Sequence, residues 1–121
     1  MDSAFYYFNE AQQIFEGLDD HVNSGKMLFF MAIVQKNVKD FTSSEATTIK
    51  AIEKFKQVDE NYPKLYGCYN NLGIIFNQLE EYDRSLYYHN KALEYLSEND
   101  LRSYVVSLNN IGVVYKNRKE Y

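Results

Sequence analysis

Tyr69-Asn70-Asn71-Leu72-Gly73-Ile74-Ile75-Phe76 is followed by Tyr82, Ser85, Ala92 and Leu93, and the octet returns almost literally as Leu108-Asn109-Asn110-Ile111-Gly112-Val113-Val114-Tyr115. Two antiparallel helices approach closely only where small residues sit at the crossing. Gly73, Ser85 and Ala92 therefore read as crossing points, and Leu72, Phe76, Tyr82, Leu86 and Leu93 as the packing between them.

Working outward, the same logic places a helix on either side. Upstream, Ala4, Phe8, Ala11 and Phe15 form one stripe at spacings of four, three and four, which predicts a helix over 2–17. Gly17 to Asp20 reads as a turn, with Asp19 and Asp20 placed to cap the next helix. That helix runs from about His21 to Lys39 and carries Leu28, Met31, Ala32 and Gln35. Phe41 falls in a turn, and Thr42-x-x-Glu45 reads as a capping box for a helix reaching Val58, with Ser44, Thr48, Ala51, Ile52 and Phe55 inward. Asp59 to Pro63 is a linker, Pro63 suiting the first turn of a helix over 64–79. Helices over 83–97 and 101–118 follow, with Glu98 to Asp100 between them. Equivalent small residues, Ala11, Ala51 and Ala92 in one series and Ala32, Gly73 and Gly112 in another, recur after 39 to 41 residues.

This spacing, Leu-Gly-x-x-aromatic, an aromatic six further on, a small residue after three more and Ala-Leu seven after that, resembles the tetratricopeptide repeat, whose units are usually about 34 residues long. Residues 69–115 carry the resemblance most fully, and Gln35 departs from it where an aromatic is expected. The longer period is similar to that of extended repeats in bacterial signalling proteins. The resemblance implies an all-α fold, a right-handed α-solenoid of antiparallel helix pairs with about six helices. It implies one domain over 1–121, divided as a second-type helix (2–18), a unit (20–58), a unit (64–97) and a first-type helix (100–118). Ala11, Ala32, Ala51, Leu72, Gly73, Phe76, Ala92, Gly112 and Tyr115 would be its structural positions. The chain opens on a second-type helix and stops at Tyr121, so it reads as cut from a longer array. Self-association through the two bare terminal helices is expected, with Tyr6, Tyr7, Val114 and Tyr115 exposed.

Composition narrows the function. With 45% apolar and 25% charged residues among 121, the chain is ordinary for a globular domain, and Met27 to Val34, its longest apolar run, is too short to span a bilayer. No membrane contact by this segment is expected. The net charge of −4 argues against nucleic acid, and the Tyr and Phe residues sit at helix-packing spacing rather than on a basic stacking surface. Cys68 has no partner for an intrachain disulfide, which favours a reducing, cytoplasmic setting; an extracytoplasmic sensor segment of a membrane protein is the alternative.

Residues for an active site are sparse. His21 and His89 are the only histidines, His89 standing where a packed aromatic is expected, and neither forms a metal-ligand set with Cys68. Glu80-Glu81 and Asp19-Asp20 lie at turns, and Gly67, Gly73 and Gly112 make no phosphate loop. No enzyme activity, cofactor or metal is expected.

What remains is a surface. The resemblance implies that the first helix of each unit lines a concave face for a protein or peptide ligand. On this chain those positions are Lys26, Phe29, Phe30, Ile33, Lys36 and Asn37; then Asn70, Asn71, Ile74, Asn77 and Gln78; then Asn109, Asn110, Val113, Lys116 and Asn117. The asparagines also stand out physically, because Asn is a poor helix former yet recurs at matching helical places, and its amide both donates and accepts. Two readings stay open for them: a row that bonds a bound main chain, or a device that bridges adjacent helices. For the whole protein, a scaffold or sensor segment of a larger signalling protein stands beside a peptide-gated regulator of an attached kinase or DNA-binding domain.

Overall fold

Aspartate side chains start three of the helices. In a computed structural model that describes residues 3–119, the described residues form six α-helices and no strand. They are α1 (Ser3–Gly17), α2 (His21–Asn37), α3 (Phe41–Val58), α4 (Leu65–Gln78), α5 (Tyr82–Leu93) and α6 (Leu101–Asn117). Carboxylates of Asp20, Asp40 and Asp100 accept from the backbone N–H three residues on, at 3.1, 3.3 and 3.1 Å, satisfying donors that a helix start leaves open.

Some boundaries differ from the sequence reading. Asp40, not Thr42, caps α3, so Phe41 is its first residue rather than part of a turn. Either side chain has the chemistry; Asp40 wins because the chain has already turned at Lys39. Pro63 precedes α4 and shapes its approach, its carbonyl accepting from Tyr66 N–H at 3.1 Å. Beyond Leu93, Tyr95 and Leu96 bond back only three residues, at 3.0 and 3.3 Å, so the helix expected to reach 97 ends in a tightened turn.

Four helices stop in the same way. Asp19, Lys39, Glu80 and Lys119 take positive φ of 56° to 65°, two residues past the end of α1, α2, α4 and α6. After the first three, the next N–H reaches back five residues, to Phe15, Gln35 and Phe76, at 2.8 to 2.9 Å. This is the arrangement in which glycine is favoured, since a side chain strains the left-handed backbone. Glu80→Gly is therefore expected to stabilise the chain by about 0.5–1 kcal/mol, net of the entropy glycine adds to the unfolded state. A rise in urea midpoint at unchanged slope is the reading that checks it.

The chain divides into two compact units, one ending at Tyr62 and one beginning at Pro63. In the first, α2 packs against both α1 and α3. A serine hydroxyl locks the α2/α3 crossing: Ser44 Oγ donates to the Ala32 carbonyl at 2.7 Å. Gly25 lets the Phe55 ring in so closely that a Cβ there would lie 2.7 Å from it. Leu28, Met31, Ala51 and Ile52 complete this core.

The second unit repeats the device. Ser85 Oγ donates to the Gly73 carbonyl at 2.6 Å, again across twelve residues, and a Cβ on Gly73 would meet the His89 ring at 2.6 Å. Leu65, Leu72, Ile75 and Ala92 are fully or almost fully buried around that crossing. Tyr88 stacks on both Tyr69 and Phe76, and Arg84 covers the Phe76 ring at 4.0 Å. From α6, Ser107 and Val114 are buried, Ser107 Oγ lying 2.8 Å from the Tyr66 hydroxyl of α4.

Three expectations about the terminal helices need correction. Gly112 is exposed, and a Cβ there would meet nothing within 4 Å. Tyr115, expected both as a structural position of the repeat and as an exposed residue of the bare end, is 41% exposed: among the described residues no helix crosses that side of α6. Val114, expected to be exposed, is buried because it shares the Ser107 side, which α6 turns toward α4. Ala11 is half-buried where Ala32, Ala51 and Ala92 are fully buried. Tyr121, expected to lead into a further helix, lies outside the described residues.

Candidate partner-binding face

The repeated asparagines meet each other. Within the second unit, Asn110 Nδ2 donates to Asn70 Oδ1 and Asn117 Nδ2 donates to Asn77 Oδ1, each at 3.1 Å and each joining residues forty positions apart. Asparagines of α4 and α6, one step out of the octet register, thus form two amide bridges, one helical heptad apart. Ile74, half-buried, and Val113, 38% exposed, lie between them, and Gln78, Asn109 and Lys116 are exposed beside them. The arrangement combines the two readings left open by the sequence. The amides bridge neighbouring helices, and they do so on a partly open face.

Asn71 does not belong to this face. It is 2% exposed, inside the α4 packing, because one residue turns a helix by about 100° and carries it away from Asn70. Its substitution would be felt as a packing change rather than as a loss of a binding group.

The inner bridge is tied to the core. Asn70 Oδ1 also lies 3.1 Å from Nδ1 of His89, which is 1% exposed. An amide oxygen can only accept, so His89 is held as the Nδ1–H tautomer. Burial pushes its pKa down from 6.5 to about 4, which keeps the ring neutral at physiological pH. His89 thereby wedges against Gly73 on one side and orients Asn70 toward α6 on the other.

In the first unit, α2 presents a different mixture. Lys26, Phe29, Ile33 and Lys36 are half-buried, Asn37 is exposed, and Phe30, 41% exposed, packs at 5.3 Å on Phe8 of α1. Burial holds the Lys36 ammonium below its usual range. A feature the sequence did not announce is the cleft lined by Asn9, Gln12, Glu16, Thr47 and Lys54 with Leu28 and Met31 beneath. Lys54 Nζ bonds Glu16 at 2.6 Å across its mouth, and this bond, with that from Gln12, lowers the Glu16 pKa. Only the meeting of α1 with α3 residues creates it, and no single-helix pattern carries that signal.

Elsewhere the chemistry is quiet. Cys68 is buried and its thiol pushed up to about 12, so thiolate is negligible at neutral pH. Among the described residues no three His, Cys, Asp or Glu gather as a metal site, and no helix is long and apolar enough to cross a membrane.

Comparison with known proteins points to the fold. No family model matches the chain, and no curated protein does. Among solved structures, the crystal structure of BtubC (BKLC) from P. vanneervenii matches with a TM-score of 0.84 over 96% of this chain. Sequence identity is 24%, so the likeness is one of fold, and the chain spans about half of that protein, 49% of its length.

Proposed function

We propose that this chain is a non-catalytic, tetratricopeptide-like interaction module that binds a protein or peptide on the first-type helices of its second unit, α4 and α6, as a scaffold or sensor segment of a larger regulatory protein. The observation that carries the reading is the pair of amide bridges between α4 and α6. Each bridge engages one N–H and one oxygen. What remains, an amino group on one helix and an oxygen on the other, complements the C=O and N–H of a peptide unit. Ile74 and Val113 between the bridges offer apolar contact, so main-chain recognition needs little from the ligand's own side chains. Exposed Lys116 beside the bridges favours an acidic ligand. The unpaired, buried Cys68 fits a reducing cytoplasm.

The experiment is a double substitution, Asn77→Ala with Asn117→Ala, read on an array of short acidic and neutral peptides. Asn117 is exposed and Asn77 half-buried, so far-UV circular dichroism is expected to be unchanged. Peptides captured by the native chain are expected to lose about tenfold in affinity or more, which is roughly 1.4 kcal/mol. Equal binding by both proteins, or no capture by the native chain, removes the amide face from the proposal.

A further inference from the structure

The second unit holds an aromatic stack at positions where the first unit has none. Tyr69 stacks on Tyr88 at 6.2 Å and on Tyr95 at 5.4 Å, and the Lys91 ammonium stands over the Tyr69 ring at 5.4 Å. Forty-one residues earlier, the places of Tyr69, Tyr88, Tyr95 and Lys91 are taken by Leu28, Thr47, Lys54 and Lys50. This is the register in which the Ser44 bond to Ala32 corresponds to the Ser85 bond to Gly73, so the folded chain keeps it too. Three rings are thus exchanged for two smaller side chains and one flexible one, while the lysine is retained.

Removing rings leaves space. Leu28, Thr47, Lys50 and Lys54 all line the cleft of the first unit, whose volume is about 430 Å³. An apolar cavity of roughly 150 Å³ holds a benzene ring, so an aromatic side chain fits here together with the group that carries it. Leu28 and Met31 lie beneath, and a thioether is a favourable neighbour for a ring. At the rim the charges balance, Glu16 and Glu53 against Lys50 and Lys54, and Lys54 already meets Glu16 at 2.6 Å. Such a rim suits a neutral group rather than an ion. An aliphatic group would gain burial alone, whereas a ring also gains the Lys50 ammonium, which by register stands where Lys91 covers Tyr69.

We propose that the cleft between α1 and α3 binds an aromatic ring, the side chain of a phenylalanine or tyrosine, seated on Leu28 and Met31 under the Lys50 ammonium. The incoming ring supplies what Tyr69 and its stacked neighbours supply within the second unit. The site lies wholly in the first unit, on other helices than the amide face, and does not rest on the peptide-binding reading. A free aromatic amino acid and an aromatic residue within a peptide present the same ring to it.

Nuclear magnetic resonance on the chain labelled with carbon-13 at its methionine methyl groups tests this, with L-phenylalanine and N-acetyl-L-phenylalaninamide titrated in separate arms, the second standing for a residue inside a peptide. In at least one arm the Met31 methyl signal, identified by its loss in Met31→Leu, is expected to shift saturably in the ring current while that of Met27 stays in place. The arm with the tighter affinity names the source of the ring. Thr47→Tyr restores one ring of the missing stack and is expected to abolish the shift. Lys50→Gln, at an exposed position, is expected to leave circular dichroism unchanged and to weaken binding about threefold. No saturable shift at Met31 with either probe, a folded Thr47→Tyr chain that binds as the native one does, or undiminished binding by Lys50→Gln each overturns the proposal.

Discussion

Replacing Gly73 with leucine is expected to destabilise the second unit by about 3 kcal/mol or more, at the upper end of the overpacking range. The first added carbon alone would sit 2.6 Å from His89 Nε2. The ring has little freedom to withdraw, being 1% exposed and bonded through Nδ1 to Asn70. Ser85 adds a second constraint, since its hydroxyl bond to the Gly73 carbonyl fixes how near α5 lies. At Gly112, the equivalent residue one repeat later, the outcome is expected to reverse. A Cβ there meets nothing, so Gly112→Ala is expected to stabilise α6 by about 1 kcal/mol through helix propensity. Urea denaturation of the two variants against the native chain measures both, and shifts of the same sign at the two glycines would show that their surroundings are not as described.

Acidification gives the second large effect. Folded His89 has its pKa depressed to about 4 by burial, against 6.5 ordinarily. Between those values the unfolded chain binds a proton that the folded chain refuses. The contribution of neutral His89 is therefore complete above about pH 6.5 and is lost as pH falls toward 4, by at most about 3 kcal/mol. In His89→Phe this part of the acid sensitivity is expected to vanish, while Asn70 still accepts from Asn110. Carboxylates titrate in the same window in both proteins, so the informative quantity is the difference between the two stability curves at pH 7.5 and pH 4.5. Parallel curves would mean that His89 is wetter than its packing against Gly73 allows.

How far the sequence could be read follows from which interactions are local. Helix positions and the crossing residues Ala32, Ser44, Gly73, Ser85 and Ala92 were visible because one buried stripe imposes a regular spacing on small and large residues. The asparagines were harder. Asn70 and Asn71 are the same residue one step apart, and which of them faces α6 and which the core depends on where α5 lies. Gly73 and Gly112 sit in nearly identical octets, yet one is wedged against a ring and the other open; the difference is set by a companion helix, which the octet does not contain. Asp40 and Thr42 can both cap a helix, and the left-handed turn at Lys39 decides between them. The cleft between Glu16 and Lys54 joins residues 38 positions apart and has no local signature at all.

The amide face itself is tested most directly by nuclear magnetic resonance on the uniformly nitrogen-15-labelled chain, titrated with a peptide captured on the array. The side-chain amide signals of Asn77 and Asn117 and the backbone signals of Val113 and Lys116 are expected to move together and saturate with one affinity, while those of Tyr6, Tyr7 and Gly112 stay in place. Shifts confined to α1 or to the open side of α6, with the asparagine amides unmoved, would contradict binding at the bridges between α4 and α6.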